Sequence, residues 1–154
     1  MSNMLLFAVD IVYARLMREE GCRIYPYNDA NDQRVTCRPT GNLTWLYGFN
    51  LEEIGSPELG QMMLRWLIQQ EQSDLMRNAW YQALDGVRQS VLLDIAYNDG
   101  MDGLLSFHLM LAALQRDPPD YGAAAAQLLD SDAARKLSVR YGALAQILRT
   151  GVLS

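Results

Sequence analysis

From Ser56 onward the chain is punctuated by helix starts at short intervals, and this constrains the fold more than any other feature. Ser56-Pro57-Glu58 is a compact start signal: serine can cap, proline suits the first turn, and glutamate favours the positive end of the helix dipole. Asp85, Ser106 and Asp120 are placed to cap further helices, and Ser131 or Asp132 to open the last. The spacing predicts helices over about 57–76, from Asp85 to Gly100, over 107–116 and 121–129, and a final one ending near Arg149 with Gly151 behind it. Pro118-Pro119 breaks the chain between two of them. Short amphipathic helices bury their apolar stripes only against each other, so this part reads as a helical lobe.

The first fifty residues read differently. Residues 4–20 predict a helix, with Leu5, Val9, Val12 and Leu16 at helical spacing, Arg15, Arg18 and Glu19 on the outer face, and Gly21 just past the end. Between 22 and 50, Asn, Asp, Pro, Thr and Gly punctuate two short apolar runs, Ile24–Tyr27 and Leu43–Phe49, which read as strands. A long polar connection, ANDQRVTCRPTGN, separates them. Met62, Met63, Trp66, Leu67 and Leu75 predict the apolar face of the helix that follows. The expectation is a single α+β domain over 1–154. A small β lobe spans about 21–55, a connecting helix about 57–76, and a larger helical lobe about 77–154 together with the N-terminal helix.

Charge and cysteine usage narrow the function. At −5 over 154 residues the chain lacks the basic balance of a sequence-independent nucleic-acid binder. Cys22 and Cys37 with the single His108 fall short of a zinc set, so no metal or organic cofactor is expected. The two cysteines read as free thiols, the alternative being a disulfide that closes a loop around Asp29. Residues 4–9 are apolar, but no basic residue precedes them and Asp10 interrupts the run, so no signal peptide is read. No run reaches the roughly 20 apolar residues of a membrane helix, so stable membrane insertion is not expected.

Two carboxylates suggest chemistry. Glu20 is predicted at the C-terminal end of its helix, where the dipole disfavours negative charge and, with burial, raises the carboxyl pKa. Asp29 sits in a polar loop and should stay ionised. Carboxyls pushed apart in pKa across a cleft are the kit of glycoside hydrolysis. The plainer reading is a solvated helix end, with Glu20 paired to Arg149 or Arg23.

Further motifs extend the pattern. Glu20-Gly21 and Tyr27-Asn28-Asp29 are followed by Gly41, Thr44, Gly48, Asn50 and Leu51, then by LDGVRQSVLLDIAYNDG at 84–100, Ser106-Phe107, and ILRTG at 147–151. In order and spacing this resembles the phage-type lysozymes of glycoside hydrolase family 24, over roughly residues 14–151. The resemblance implies a lysozyme-like α+β fold with the active-site cleft between the lobes. It also implies a muramidase cleaving the β-1,4 bond between N-acetylmuramic acid and N-acetylglucosamine with inversion. Glu20 would be the general acid, Asp29 the second carboxylate and Thr44 the holder of the attacking water. Arg149 would pair with the catalytic glutamate, and Asn98 and Phe107 would line the cleft. Trp45 and Tyr47 are the aromatics for stacking on sugar, with core burial as the alternative. Trp66 and Trp80 read as packing residues, and His108 as structural or solvent-facing. The implied partner is the peptidoglycan strand, met by a monomer made in the host cytoplasm. It would act in the periplasm or on the cell wall, released through a pore or carried in a virion.

The chain departs from the family pattern at two places. Leu46 stands where the family has a glycine, and the Asp29–Thr44 connection is longer, which makes Asp32 an alternative second carboxylate. These departures and the acidic balance keep two other readings open: an inactive binding or structural module, and a lytic transglycosylase using Glu20 alone.

Overall fold

The computed structural model describes residues 2–19, 22, 27–28, 31, 33–34, 44–45, 49–50 and 56–153. The helices described are α1 (Ser2–Glu19), α2 (Pro57–Leu75), α3 (Ala79–Gln82), α4 (Gly86–Ser106), α5 (His108–Leu114), α6 (Tyr121–Leu129), α7 (Asp132–Lys136) and α8 (Ser138–Thr150).

The centre is α4. Val91, Leu92, Leu93, Asp94, Ile95 and Ala96 are six consecutive buried positions, so this stretch is enclosed all round rather than along one stripe. Helix α1 packs on α4 through Ala8, Val9, Val12 and Leu16, and α2 packs on both. On the other side α6 packs on α5 and α8, contributing Ala124, Ala125 and Leu128. Small residues on α6 let its neighbours approach closely. Each fully buried leucine or isoleucine contributes about 1.5–3 kcal/mol over its exposed state.

The α+β expectation is corrected: the fold is helical. In the region read as a β lobe, the described backbone makes two isolated antiparallel pairings of two residues each, Tyr27–Asn28 with Gln33–Arg34 and Thr44–Trp45 with Phe49–Asn50. Strands usually run five or six residues, and independent stability takes three or more of them over a shared apolar face. Among the described residues, two-residue rungs form no layer against which helices could pack.

Several local expectations change as well. On α2 the buried face is Ile68, Gln72 and Leu75, while Met62, Met63, Trp66 and Leu67 are exposed. At about 100° per residue these two stripes lie on opposite sides of the helix, and apolar bulk pointed to the wrong one. Gln72 belongs inside because its Oε1 accepts from the buried Tyr81 hydroxyl at 2.6 Å. Gly100 breaks α4 as expected, with φ 75° and ψ 168°, a conformation essentially confined to glycine, but helix resumes to Ser106. Ser106 does not cap α5: its hydroxyl donates backward to the Gly103 carbonyl, and Phe107 occupies the N-cap position. The last helix is two, separated at Leu137. The caps at Ser56, Asp85, Asp120 and Ser131 are all made, with side-chain oxygens accepting from the amides of Leu59, Arg88, Ala123 and Ala134.

Candidate functional site

Helix α1 ends at Glu19, beside the start of α8. A cleft of about 570 Å³ opens there, lined by Arg15, Arg18 and Glu19 from α1, by Lys136, Ser138 and Arg140 from the α7–α8 junction, and by the apolar Leu137, Val139, Ala143, Leu144 and Ile147. The break at Leu137 creates this cleft by presenting the start of α8 to the end of α1.

Beneath it lies a buried ion cluster that ties three helices together. Asp94 on α4 is fully buried. Its Oδ2 accepts from Arg15 Nη1 at 2.9 Å, and its Oδ1 accepts from Arg140 Nη2 at 3.0 Å and Nε at 3.2 Å. Asn98 adds Nδ2 donation to the Asp94 carbonyl at 2.7 Å and to Oδ1 at 3.3 Å. A carboxylate taken out of water is tolerable only with this degree of compensation. On the side of Arg140 toward α1, Nη1 approaches Glu19 Oε2 at 3.8 Å, and Arg18 Nη2 approaches Glu19 Oε1 at 3.8 Å. Arg15, expected on the outer face of α1, is therefore an interior residue.

A second polar contact flanks the cluster on α4. The Tyr141 hydroxyl donates to the Asp99 carboxylate, and the Tyr141 ring stacks on Phe107 with centroids 6.3 Å apart. Burial, reinforced by hydrogen bonding to Asp99 and by its negative charge, pushes the Tyr141 phenol well above its usual range.

The expected site residues are distributed as follows. Glu20, Asp29, Asp32 and Tyr47 lie outside the described residues, as does Cys37; Cys22 is an exposed free thiol. Thr44 and Trp45 are described only in their backbone pairing with Asn50 and Phe49. Asn98 belongs to the Asp94 cluster, and Phe107 packs against Tyr141 beside it. Arg149 is exposed at the far end of α8, nine residues or about 13 Å along the helix from Arg140. There the Arg149 carbonyl accepts from Arg88 Nη2 at 3.3 Å, and the Leu148 carbonyl from Arg88 Nε at 2.9 Å. Arg88 also lies over the Tyr121 ring, 3.7 Å from its centroid. The Val87-Arg88 and Arg149-Thr150-Gly151 segments thus meet as a closure of α8. Gly151, at φ 70°, passes so close to the Arg88 guanidinium that a Cβ would lie 2.6 Å from it. Among the described residues, the guanidinium groups near Glu19 at the end of α1 include those of Arg18 and Arg140.

The residues that the sequence reading missed are Asp94, Arg15 as an interior group, and Arg140. One signal was available. Asp94 interrupts the apolar run Val91–Ala96, and Arg15 sits one position from Leu16 and three from Val12 on the buried stripe of α1. Opposite charges inside two apolar stripes mark a buried pair.

Among the described residues, no group of three histidine, cysteine or acidic side chains is placed to hold a metal ion. No described helix is long and apolar enough to cross a membrane. No family model matches the chain, and no curated protein sequence matches it.

Proposed function

We propose that the chain is a peptidoglycan muramidase, with Glu20 as the general acid. One observation carries the reading beyond the motif order: α1 ends at a cleft, with its last residue, Glu19, facing the guanidinium groups of Arg18 and Arg140. Glu20 is one Cα step of about 3.8 Å further along the chain. Two effects would act on its carboxyl. The negative end of the α1 dipole raises the pKa, and a nearby guanidinium lowers it. A general acid needs the balance to fall near the working pH.

In the reaction, Glu20 protonates the glycosidic oxygen as the bond to the leaving sugar breaks. Asp29 supports the positive charge that develops on the remaining sugar ring and accepts a proton from the water that Thr44 holds as that water attacks from the opposite face. With Arg18, Arg140 is one of the described cations at this end of α1. Asp94 fixes its direction, because two of its nitrogens are committed to one carboxylate oxygen.

The test is digestion of purified peptidoglycan by the intact protein and by Glu20→Gln, with products identified by mass spectrometry. Reducing-end muropeptides from the wild type, reduced by about 10²–10⁴-fold in the variant, are expected for loss of a general acid. Products ending in anhydro-muramic acid would instead assign the chain to the lytic transglycosylases. Absence of products from folded protein on several peptidoglycan types would refute the enzyme reading.

A further inference from the structure

Helix α4 is made of two pieces. Gly100 stands between them with non-helical angles, and the shorter piece, residues 101–106, stops at Phe107, whose φ of −77° and ψ of 55° are again outside the helical range. Helices shorter than about 12–15 residues are marginal on their own in water, so the short piece is held by what it touches. Asp102, Leu105 and Ser106 are exposed, while Leu104 is fully buried. Two further contacts join the piece to the rest of the molecule. Gly103 lies against Asp99, the last residue before the break; a Cβ on Gly103 would stand 2.6 Å from the Asp99 Cβ. Phe107 stacks on Tyr141 of α8, with ring centroids 6.3 Å and planes 26° apart. Tyr141 is itself buried, and its hydroxyl donates to Asp99. One side chain of α8 therefore touches both sides of the break.

We propose that residues 101–107 form a strap that opens about Gly100 as a unit, and that Asp99 and Tyr141 are the fixed surface onto which it closes. Gly100, which carries no Cβ, absorbs the change in φ and ψ at one end, and the non-helical backbone at Phe107 absorbs it at the other. Opening breaks the approach of Gly103 to Asp99 and the stack of Phe107 on Tyr141, and it withdraws Leu104 from the core. The hydrogen bond from Tyr141 to Asp99 lies wholly on the fixed side. It survives opening and keeps the receiving surface in shape. A unit this small exposes little surface, so it opens at a lower free energy than the whole domain. Nothing in this strap depends on the glycosidase reading.

The test is native-state amide hydrogen exchange of the ¹⁵N-labelled full chain, followed by nuclear magnetic resonance at several urea concentrations below the unfolding transition. The amides of residues 104–106 should exchange with little dependence on urea. Those of the buried stretch 91–96 should accelerate steeply, because opening the strap exposes far less surface than unfolding the domain. Gly103→Ala should speed exchange in the strap by about tenfold or more, since the closed state cannot hold a Cβ so near Asp99. Helix propensity alone predicts the opposite sign, because alanine favours helix over glycine. Phe107→Leu, which keeps apolar bulk but loses the ring stack, should speed it by about three- to tenfold. The spectrum itself reports the fold of each variant. A urea dependence at 104–106 equal to that at 91–96 would overturn the proposal. So would slower exchange in Gly103→Ala, or unchanged exchange in both variants. The assay needs no catalysis, so its outcome is separate from that of the digestion experiment.

Discussion

Replacing Asp94 with alanine should be among the most destabilising single changes in this protein, and the reason is specific. Asp94 is fully buried and accepts from two arginines and one asparagine. Its removal leaves Arg15, with only 9% of its surface exposed, as a buried cation without the carboxylate it donates to. Breaking a buried pair from one side costs about 3–5 kcal/mol. At roughly 2–4 °C per kcal/mol for a domain of this size, the melting temperature should fall by about 6–20 °C. The surface pair Arg65–Asp10 is the control. It is shorter, at 2.6 Å, yet its side chains are 39% and 54% exposed, so Asp10→Ala should cost no more than about 1 kcal/mol. The reasoning also predicts the sign of the coupling. Arg15→Met added to Asp94→Ala should recover much of the loss, because the penalty lies in the uncompensated charge more than in the missing contact. Thermal and urea unfolding of the four proteins in the cycle measure this. A double variant as unstable as the sum of the two singles would refute the argument, and so would an Asp94→Ala cost below about 1 kcal/mol.

Other outcomes follow from the same structure. Ile68→Ala should cost about 2–5 kcal/mol while Trp66→Ala stays within about 0.5 kcal/mol, and equal effects in chemical denaturation would reverse the assignment of the α2 faces. Burial raises the phenol pKa of Tyr81, as it does that of Tyr141. The unfolded chain therefore loses these protons first, near pH 10. Stability present below pH 10 should fall above it by up to about 1.4 kcal/mol per pH unit per tyrosine; Tyr81→Phe should flatten that slope in unfolding measured against pH. Gly151→Ala should destabilise by about 1–3 kcal/mol, from a positive φ together with the crowded Arg88 guanidinium, as read from the melting temperature. Glu20→Gln should lower muropeptide release by about 10²–10⁴-fold with the circular dichroism spectrum unchanged.

Legibility followed the range of the interactions involved. Caps are local: Ser56, Asp85, Asp120 and Ser131 each need only an amide three residues on, so the sequence alone located four of the helix starts. The apolar stripe of α1 and the inward set Val91, Leu92 and Ile95 were equally readable, because helical periodicity is a property of one segment. The β lobe was misread because apolar runs bounded by turn residues carry no information on how many rungs will pair. The α2 face was misread because two stripes competed, and the choice was made by Tyr81, nine residues beyond Gln72.

The sequence by itself determined where helices begin, which stripes most of them can bury, and the order of motifs from Glu20 to Gly151 that motivates a glycoside hydrolase reading. Only the tertiary structure decided which charges meet. Arg15, Asp94 and Arg140 lie 79 and 46 residues apart along the chain and become one cluster when α1, α4 and α8 pack. Periodicity assigns a residue to a face of its own helix, but a charged residue on an inner face is stable only when another helix delivers its counter-charge. That delivery depends on the packing of three helices at once, which no single segment encodes.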